Sequence, residues 1–208
     1  MNAEFKINGK IIETERLILR PFAPSDVDDL YEYASVAGVG EMAGWKHHES
    51  KEETKAILNT FIEEDKTFAI CLKGSGKVIG TLGVEKYGME DKLTEFSAYR
   101  GREIGYVLSK DYWGQGLMPE AVNAVIDYLF SECDLDFITC GYYDFNLQSK
   151  RVQEKCGFKP YRKVKMTTKL GTTEPSVLNL IKNPNKNIRF VFSYPENLLY
   201  SENKKTMH

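Results

Sequence analysis

Paired cysteines, long apolar runs and any marked excess of one charge are missing from this chain. The cysteines, Cys71, Cys133, Cys140 and Cys156, form no CxxC pair and have no histidine at metal-ligand spacing. No zinc site, other metal centre or dithiol redox pair is therefore read, and buried, reduced thiols in a cytoplasmic protein are expected. No stretch approaches the roughly 18 apolar residues of a membrane-spanning helix. The opening MNAEFKINGKIIETER lacks the apolar centre of a secretory signal. The formal charge is only −2, from 28 basic and 30 acidic side chains, so no broad basic field invites nucleic acid or anionic lipid. Internal repeats and low-complexity runs are also lacking.

What is present suits one domain with a good core: 208 residues, 42% of them hydrophobic. Residues 17–22 (LILRPF) alternate as a strand and stop at Pro21 and Pro24. Ser25 is expected to cap a short helix, with Val27, Leu30, Tyr31 and Ala34 at helical spacing. A second helix opens near Glu49 or Ser50, carries Thr54, Ile57, Leu58, Phe61 and Ile62 as its stripe, and ends near Asp65. Residues 68–72 and 78–84 read as a hairpin about Lys-Gly-Ser-Gly-Lys. Residues 85–101 are charged and aperiodic and are expected to be an exposed connection.

The centre of the chain is residues 102–130, REIGYVLSKDYWGQGLMPEAVNAVIDYLF. Strand, glycine turn and helix start follow one another, an arrangement that suits an anion because the first helical N–H groups lack partners and the dipole is positive there. Pro119 is read as the first helical residue, and Ala121, Val122, Val125, Ile126, Leu129 and Phe130 as a buried stripe. A GxG before a helix also suits a plain structural turn. Another strand at 137–142, a helix at 146–156 ended by Gly157, and an antiparallel pair at 161–168 and 175–182 complete the pattern. The central helix supplies the crossover that parallel neighbours need. Beyond Lys182, residues 183–208 are expected to form an extension with one further strand at 188–194 and a frayed end.

Three stretches together resemble the GNAT superfamily of acyl-CoA-dependent N-acyltransferases, in its branch similar to ribosomal-protein alanine N-acetyltransferases: ETERLILRPFAPSDVDDL, REIGYVLSKDYWGQGLMPEAV and DFNLQSKRVQEKCGF. The resemblance spans about residues 13–182. It implies an α/β (α+β) domain over 1–182, with a mixed, mostly antiparallel twisted sheet of about seven strands, splayed central parallel strands and about four flanking helices. It implies acetyl-CoA as the donor. The family's pyrophosphate loop falls on Trp113, Gly114, Gln115, Gly116, Leu117 and Met118, with Trp113 in place of a first polar residue and Met118 in place of a last small one. Its pantetheine-pairing strand falls on Tyr106, Val107 and Leu108, since an extended amide chain can pair with a sheet edge, and a backbone N–H there would serve the thioester carbonyl as an oxyanion donor.

Asn146, Ser149 and Gln153 share one helix face, and Asn146 also suits a plain N-cap. In much of the superfamily a tyrosine acts as acid toward the leaving thiolate; Gln153 stands in that place here and cannot do so. The resemblance makes Ser149 the candidate acid and Asn146 its companion at both the coenzyme and the reaction centre. Glu103 is the family-like base, though it could equally be a surface carboxylate on an edge strand. His47 and His48 are rivals, and Trp45 with His48 would line an acceptor pocket in the loop 38–50.

An α-amine of pKa about 7.7–8.0 is roughly 10–15% neutral at pH 7, against less than about 0.1% for lysine, so it asks less of a base. The expected activity is acetyl transfer to a primary amine by direct attack in a ternary complex, because no cysteine has a recognisable activating partner. A protein N-terminal amine is one acceptor class; a polyamine, amino sugar or antibiotic is another. A CoA-binding sensor without the reaction is the alternative from a different class. A monomer or homodimer is expected.

Overall fold

A computed structural model describes residues 1–88 and 96–189. Its elements in chain order are β1 (Ile12–Glu13), β2 (Leu17–Pro21), α1 (Val27–Ala34), α2 (Lys51–Glu64), β3 (Thr67–Leu72), β4 (Val78–Glu85), β5 (Gly101–Leu108), α3 (Leu117–Ser131), β6 (Phe137–Tyr143), α4 (Leu147–Lys155), β7 (Lys159–Thr167) and β8 (Thr173–Lys182). One 8-stranded sheet runs β1-β2-β3-β4-β5-β6-β8-β7. The strand beyond the seven expected is β1, a two-residue segment paired through Ile12↔Leu19 and Glu13↔Ile18, too short to show a period.

Neighbours pair antiparallel except β5 and β6, whose parallel contact is made by the α3 crossover. That parallel ladder joins only Gly101↔Phe137, Arg102↔Ile138 and Glu103↔Thr139. Beyond it the strands part: β5 stays on β4 as far as Gly80↔Leu108, and β6 stays on β8 as far as Tyr143↔Ser176. The parting leaves a gap in the middle of the sheet.

Helices cover both faces. On α3, Ala121, Val122, Val125, Ile126 and Leu129 are buried against Leu17, Leu19, Phe68 and Ile70. Each fully buried aliphatic side chain of this size contributes about 1.5–3 kcal/mol, which holds the start of α3 rigidly behind its loop. On the other face α1 and α2 bring Leu30, Tyr33, Ala34 and Leu58 onto Ala69, Cys71 and Val78. Ser50 caps α2 by accepting from Glu53 N–H at 3.1 Å. Before α1, however, a 3-10 turn at Pro24–Asp26 replaces the Ser25 cap. Asp26 accepts from Ala23 N–H at 2.8 Å and holds Arg20 through both carboxylate oxygens.

Two further expectations are corrected. Pro119 is the third residue of α3, after Leu117 and Met118, where a missing N–H is equally harmless because the whole first turn lacks intrahelical acceptors. The connection 85–101 is not simply exposed: Tyr87 and Phe96 are buried with Phe137 and Tyr161 in a separate aromatic cluster, a fact invisible to period analysis because both aromatics sit alone among charges. Residues 89–95 of that connection, and most of the strand expected at 188–194, lie outside the described residues. Ile188 packs on the aromatic cluster. No described helix is long and apolar enough to cross a membrane.

Candidate active site

The gap between β5 and β6 opens into a cleft of about 550 Å³ lined by both strands, the loop before α3, the first turns of α4 and residues of the loop after α1. Its donor wall follows from strand alternation. Arg100 C=O accepts from Asp136 N–H on the β6 side, whereas Ser109 N–H donates to Ile79 C=O on the β4 side. Even-numbered residues of β5 therefore turn their main chain toward β6, and Tyr106 and Leu108 do so where β6 has left. Val107, paired with Thr81, turns its main chain to β4. Leu108 C=O already accepts the Trp113 indole N–H at 2.8 Å, so the groups left facing the gap are Tyr106 N–H and C=O and Leu108 N–H.

The loop presents backbone and hides side chains. Gly114 and Gly116 both have φ +77, the left-handed region that glycine enters without strain, and no atom lies within 4 Å of where a Gly114 side chain would begin. Trp113 pins the loop to the end of β5, and Leu117 and Met118 are buried in the core. Met118 is buried in the core while also bordering the cleft. Among the described residues, the N–H groups of Gly114, Gln115, Gly116, Leu117 and Met118 have no hydrogen-bond partner. Successive free N–H groups at a helix start form an anion seat.

A brace behind the loop had no local signature. Arg16, just before β2, donates to Gln115 C=O at 3.0 Å and pairs with Glu120 on α3 at 2.6 Å. Glu120 also accepts from Arg16 N–H and Thr14 hydroxyl. Burial would raise its carboxyl, but these donors outweigh it and hold the pKa below the usual range. With Gln115 C=O drawn to Arg16, the N–H of the same peptide plane, that of Gly116, points the opposite way, toward the seat.

On α4, Asn146 caps the helix by accepting from Ser149 N–H at 2.9 Å. Its amide also donates to Met42 C=O at 2.8 Å, tying α4 to the loop after α1. Ser149 Oγ accepts from Gln153 Nε2 at 3.1 Å and lies 3.1 Å from Tyr106 Oη. Gln153 is wholly buried, donates also to Gly141 C=O, and accepts from Asn179 Nδ2 at 2.8 Å. The residue in the family's acid position thus orients Ser149. Tyr106, expected to contribute backbone, also brings its hydroxyl, kept neutral by burial that raises its pKa well above the ordinary value.

Glu103 lies at the end of the short parallel ladder, where its carboxylate accepts from Thr139 hydroxyl at 3.2 Å. It is not on a sheet edge: burial, helped by the negative charge of Glu85 and opposed by Thr139, raises its pKa to about 7. It lines the cleft along with Tyr106, Asn146 and Ser149. Cys140 lines it too, but burial raises that thiol well above its usual pKa, and burial, not the helix dipole, raises Cys156 to about 12. Neither is poised as a nucleophile. Among the described residues no His, Cys, Asp and Glu cluster could hold a metal ion.

The loop after α1 reaches the cleft through Val39, Met42 and Ala43. Trp45 and His48 are not among the lining residues. His48 is buried, hydrogen-bonds Thr54 Oγ1 at 2.8 Å and packs on the Trp45 ring at 5.1 Å, and burial lowers its pKa. His47 pairs with Glu41 at 2.7 Å. These side chains stiffen the loop from beneath.

Comparison with known proteins agrees with this geometry. The family described as the acetyltransferase (GNAT) domain matches residues 16–159. The N-acetyltransferase YoaA of Bacillus subtilis is 28% identical over 153 residues, covering 71% of this chain and 82% of its own length. A GNAT-family acetyltransferase from Bacillus anthracis superposes with a TM-score of 0.73 at 25% identity, over 84% of this chain and 99% of that one. The ribosomal-protein-S5-alanine acetyltransferase from Vibrio fischeri shares the fold, with a TM-score of 0.65 at 24% identity, over 86% of this chain and 99% of that one. With a splayed parallel pair, a free N–H seat at the start of α3 and a family match across its middle, this chain belongs to the GNAT acetyltransferases.

Proposed function

We propose that the chain transfers the acetyl group of acetyl-CoA to a primary amine by direct attack in a ternary complex, and that a protein N-terminal amine is its acceptor class. The observation that carries the donor is the row of unpartnered N–H groups at residues 114–118, at one end of a gap whose wall offers Tyr106 and Leu108 main chain. The row suits a diphosphate. The gap suits the pantetheine amides, which pair as a missing strand would.

In this reading the acceptor nitrogen, neutral, attacks the thioester carbonyl carbon. The oxygen takes the negative charge and a β5 N–H stabilises it. Collapse breaks the C–S bond and releases the CoA thiolate, while the nitrogen gives up its extra proton to Glu103, directly or through water. A carboxylate with a pKa near 7 is matched to that task at neutral pH. Ser149 serves the departing sulfur: its oxygen accepts from Gln153, and its own proton is left for the sulfur when Tyr106 Oη is the donor of their pair. A thiolate of ordinary pKa about 8.5 needs little more. Trp45 and His48 enter only as supports of the acceptor loop.

The acceptor class is favoured by the larger neutral fraction of an α-amine and by the likeness to a ribosomal-protein alanine acetyltransferase. The test is acetyl-CoA consumption, read as free-thiol release, against free-N-terminus peptides and a panel of polyamines and amino sugars. Peptide turnover supports the proposal, turnover of small amines alone replaces the acceptor, and no turnover with any amine overturns the function.

A further inference from the structure

A second cavity, of about 350 Å³, adjoins the cleft: Met42 lines both. Three segments distant in sequence build it, namely the loop after α1 with Glu41 and Met42, Phe145 between β6 and α4, and the β7–β8 hairpin end with Leu170 in the turn and Glu174 at the start of β8. They are fastened together: Lys169 N–H donates to Gly44 C=O at 2.7 Å, and Asn146 holds Met42 C=O. The walls are apolar and exposed. Phe145 is 51% and Leu170 47% accessible, and the Phe145 ring is steadied by stacking on Tyr143 at 5.4 Å with 12° between planes. Exposed large apolar side chains gathered on one concavity mark a binding surface more than scattered ones do.

The ionisable side chains that line this cavity, Glu41 and Glu174, are both acidic, with Lys110 Nζ near Gly38 and His47 on Glu41 as basic neighbours behind the wall. Glu41 is kept ionised: hydrogen bonds from His47 and from backbone N–H groups overcome the effect of burial and lower its pKa to about 2. Glu174, on the opposite wall, has no ion pair or side-chain hydrogen bond among the described residues. No basic side chain lines the cavity.

We infer that this cavity is the acceptor's flanking subsite, and that it takes a bulky apolar side chain next to the reactive amine on the N-terminal stretch of a basic polypeptide. The inference rests on the acetyl-transfer reading and narrows it. Continuity through Met42 puts the cavity beside the cleft, the exposed Phe145 and Leu170 supply an apolar seat, and the two carboxylates favour a positively charged chain. A short diamine or an amino sugar has nothing to fill the apolar seat.

The test uses the full chain and short peptides with free N termini, beginning with leucine or glycine, each in a lysine-rich and a glutamate-rich version. KM and kcat are read by thiol release, and Kd for the CoA-saturated protein by fluorescence anisotropy. The leucine, lysine-rich peptide is expected to bind about tenfold tighter than the glycine, glutamate-rich one. Phe145→Ser or Leu170→Ser removes the preference for leucine, and Glu174→Gln weakens that for lysine, with KM for acetyl-CoA unchanged. Equal KM and Kd for all peptides, or variants that affect all peptides alike, overturn the subsite. If no amine is acetylated, the acetyl-transfer reading fails separately, and the anisotropy preference and its loss in Phe145→Ser still decide whether the subsite exists.

Discussion

Tyr106 Oη stands 3.1 Å from Ser149 Oγ, joining the splayed strand β5 to the first turn of α4 across the cleft. With Gln153 donating to the same oxygen, Ser149 Oγ is tethered from two sides, which suits its proposed role toward the sulfur. Ser149→Ala is expected to lower kcat by about 10²-fold, the lower range for loss of a positioned proton donor, while KM for acetyl-CoA moves less than about threefold. Tyr106→Phe removes the hydroxyl that contacts both Ser149 Oγ and Ser149 C=O, and with about 1 kcal/mol lost at the serine hydroxyl should cost roughly fivefold in kcat. Steady-state thiol release with both variants is the check; an unchanged kcat in Ser149→Ala removes the serine from the reaction.

As the proposed base, Glu103 should give the activity part of its pH dependence. Its carboxyl pKa is raised to about 7, mainly by burial, and the base must be ionised, so on top of the rise with the neutral fraction of an α-amine of pKa about 7.7–8.0, kcat/KM should carry a limb that climbs through pH about 7. Glu103→Gln should flatten that limb and cost about a hundredfold. Stability moves the other way. A raised folded pKa means the favourable contribution is whole below the unfolded value near 4.3 and is lost as pH rises through 7, a loss of about 4 kcal/mol. Glu103→Gln should therefore unfold at a higher temperature than wild type above pH 7, and at nearly the same temperature near pH 4.

The Arg16 brace makes the proposed phosphate seat depend on a residue about a hundred positions away in sequence. Arg16→Met frees Gln115 C=O and leaves Glu120 without its cation, so the peptide before Gly116 loses its fixed plane. A hydrogen bond involving a charged group is worth about 1.5–3 kcal/mol, of which part should appear as a KM for acetyl-CoA raised about tenfold. Calorimetric titration with CoA checks it; an unchanged Kd shows the loop is set by its glycines and by Trp113 alone.

Long elements and the loop were legible because their signals are local. The α3 stripe repeats at helical spacing, and Gly114 and Gly116 stand one residue apart before it. The supporting contacts were not, since Arg16 with Glu120, Asn146 with Met42, and Gln153 with Asn179 each join segments that no period relates. Trp45 and His48 show the reverse error. An aromatic and a histidine in a glycine loop suggest a pocket, but a loop must also bury something to hold its shape, and here it buries His48 beneath a half-buried Trp45. Tyr87 and Phe96 misled for the same reason, as lone aromatics among charges that packing, not periodicity, drew inward.

Gln153 is the buried residue of α4, and it is polar. A polar residue is accommodated there because all its groups are met: it holds Gly141 C=O, Ser149 Oγ and Asn179 Nδ2 at once. Asn179 Oδ1 already lacks a partner. Gln153→Leu would therefore leave Asn179 without either side-chain partner in the described structure, at about 1–3 kcal/mol for each buried group abandoned. Denaturant melts should show a stability loss of about 2–4 kcal/mol with an unchanged slope. Adding Asn179→Leu to Gln153→Leu should recover much of that loss, since removing both partners leaves fewer buried polar groups unmet, yet kcat should stay low because Ser149 remains unoriented. A double variant that regains kcat along with stability would show that Gln153 serves packing alone.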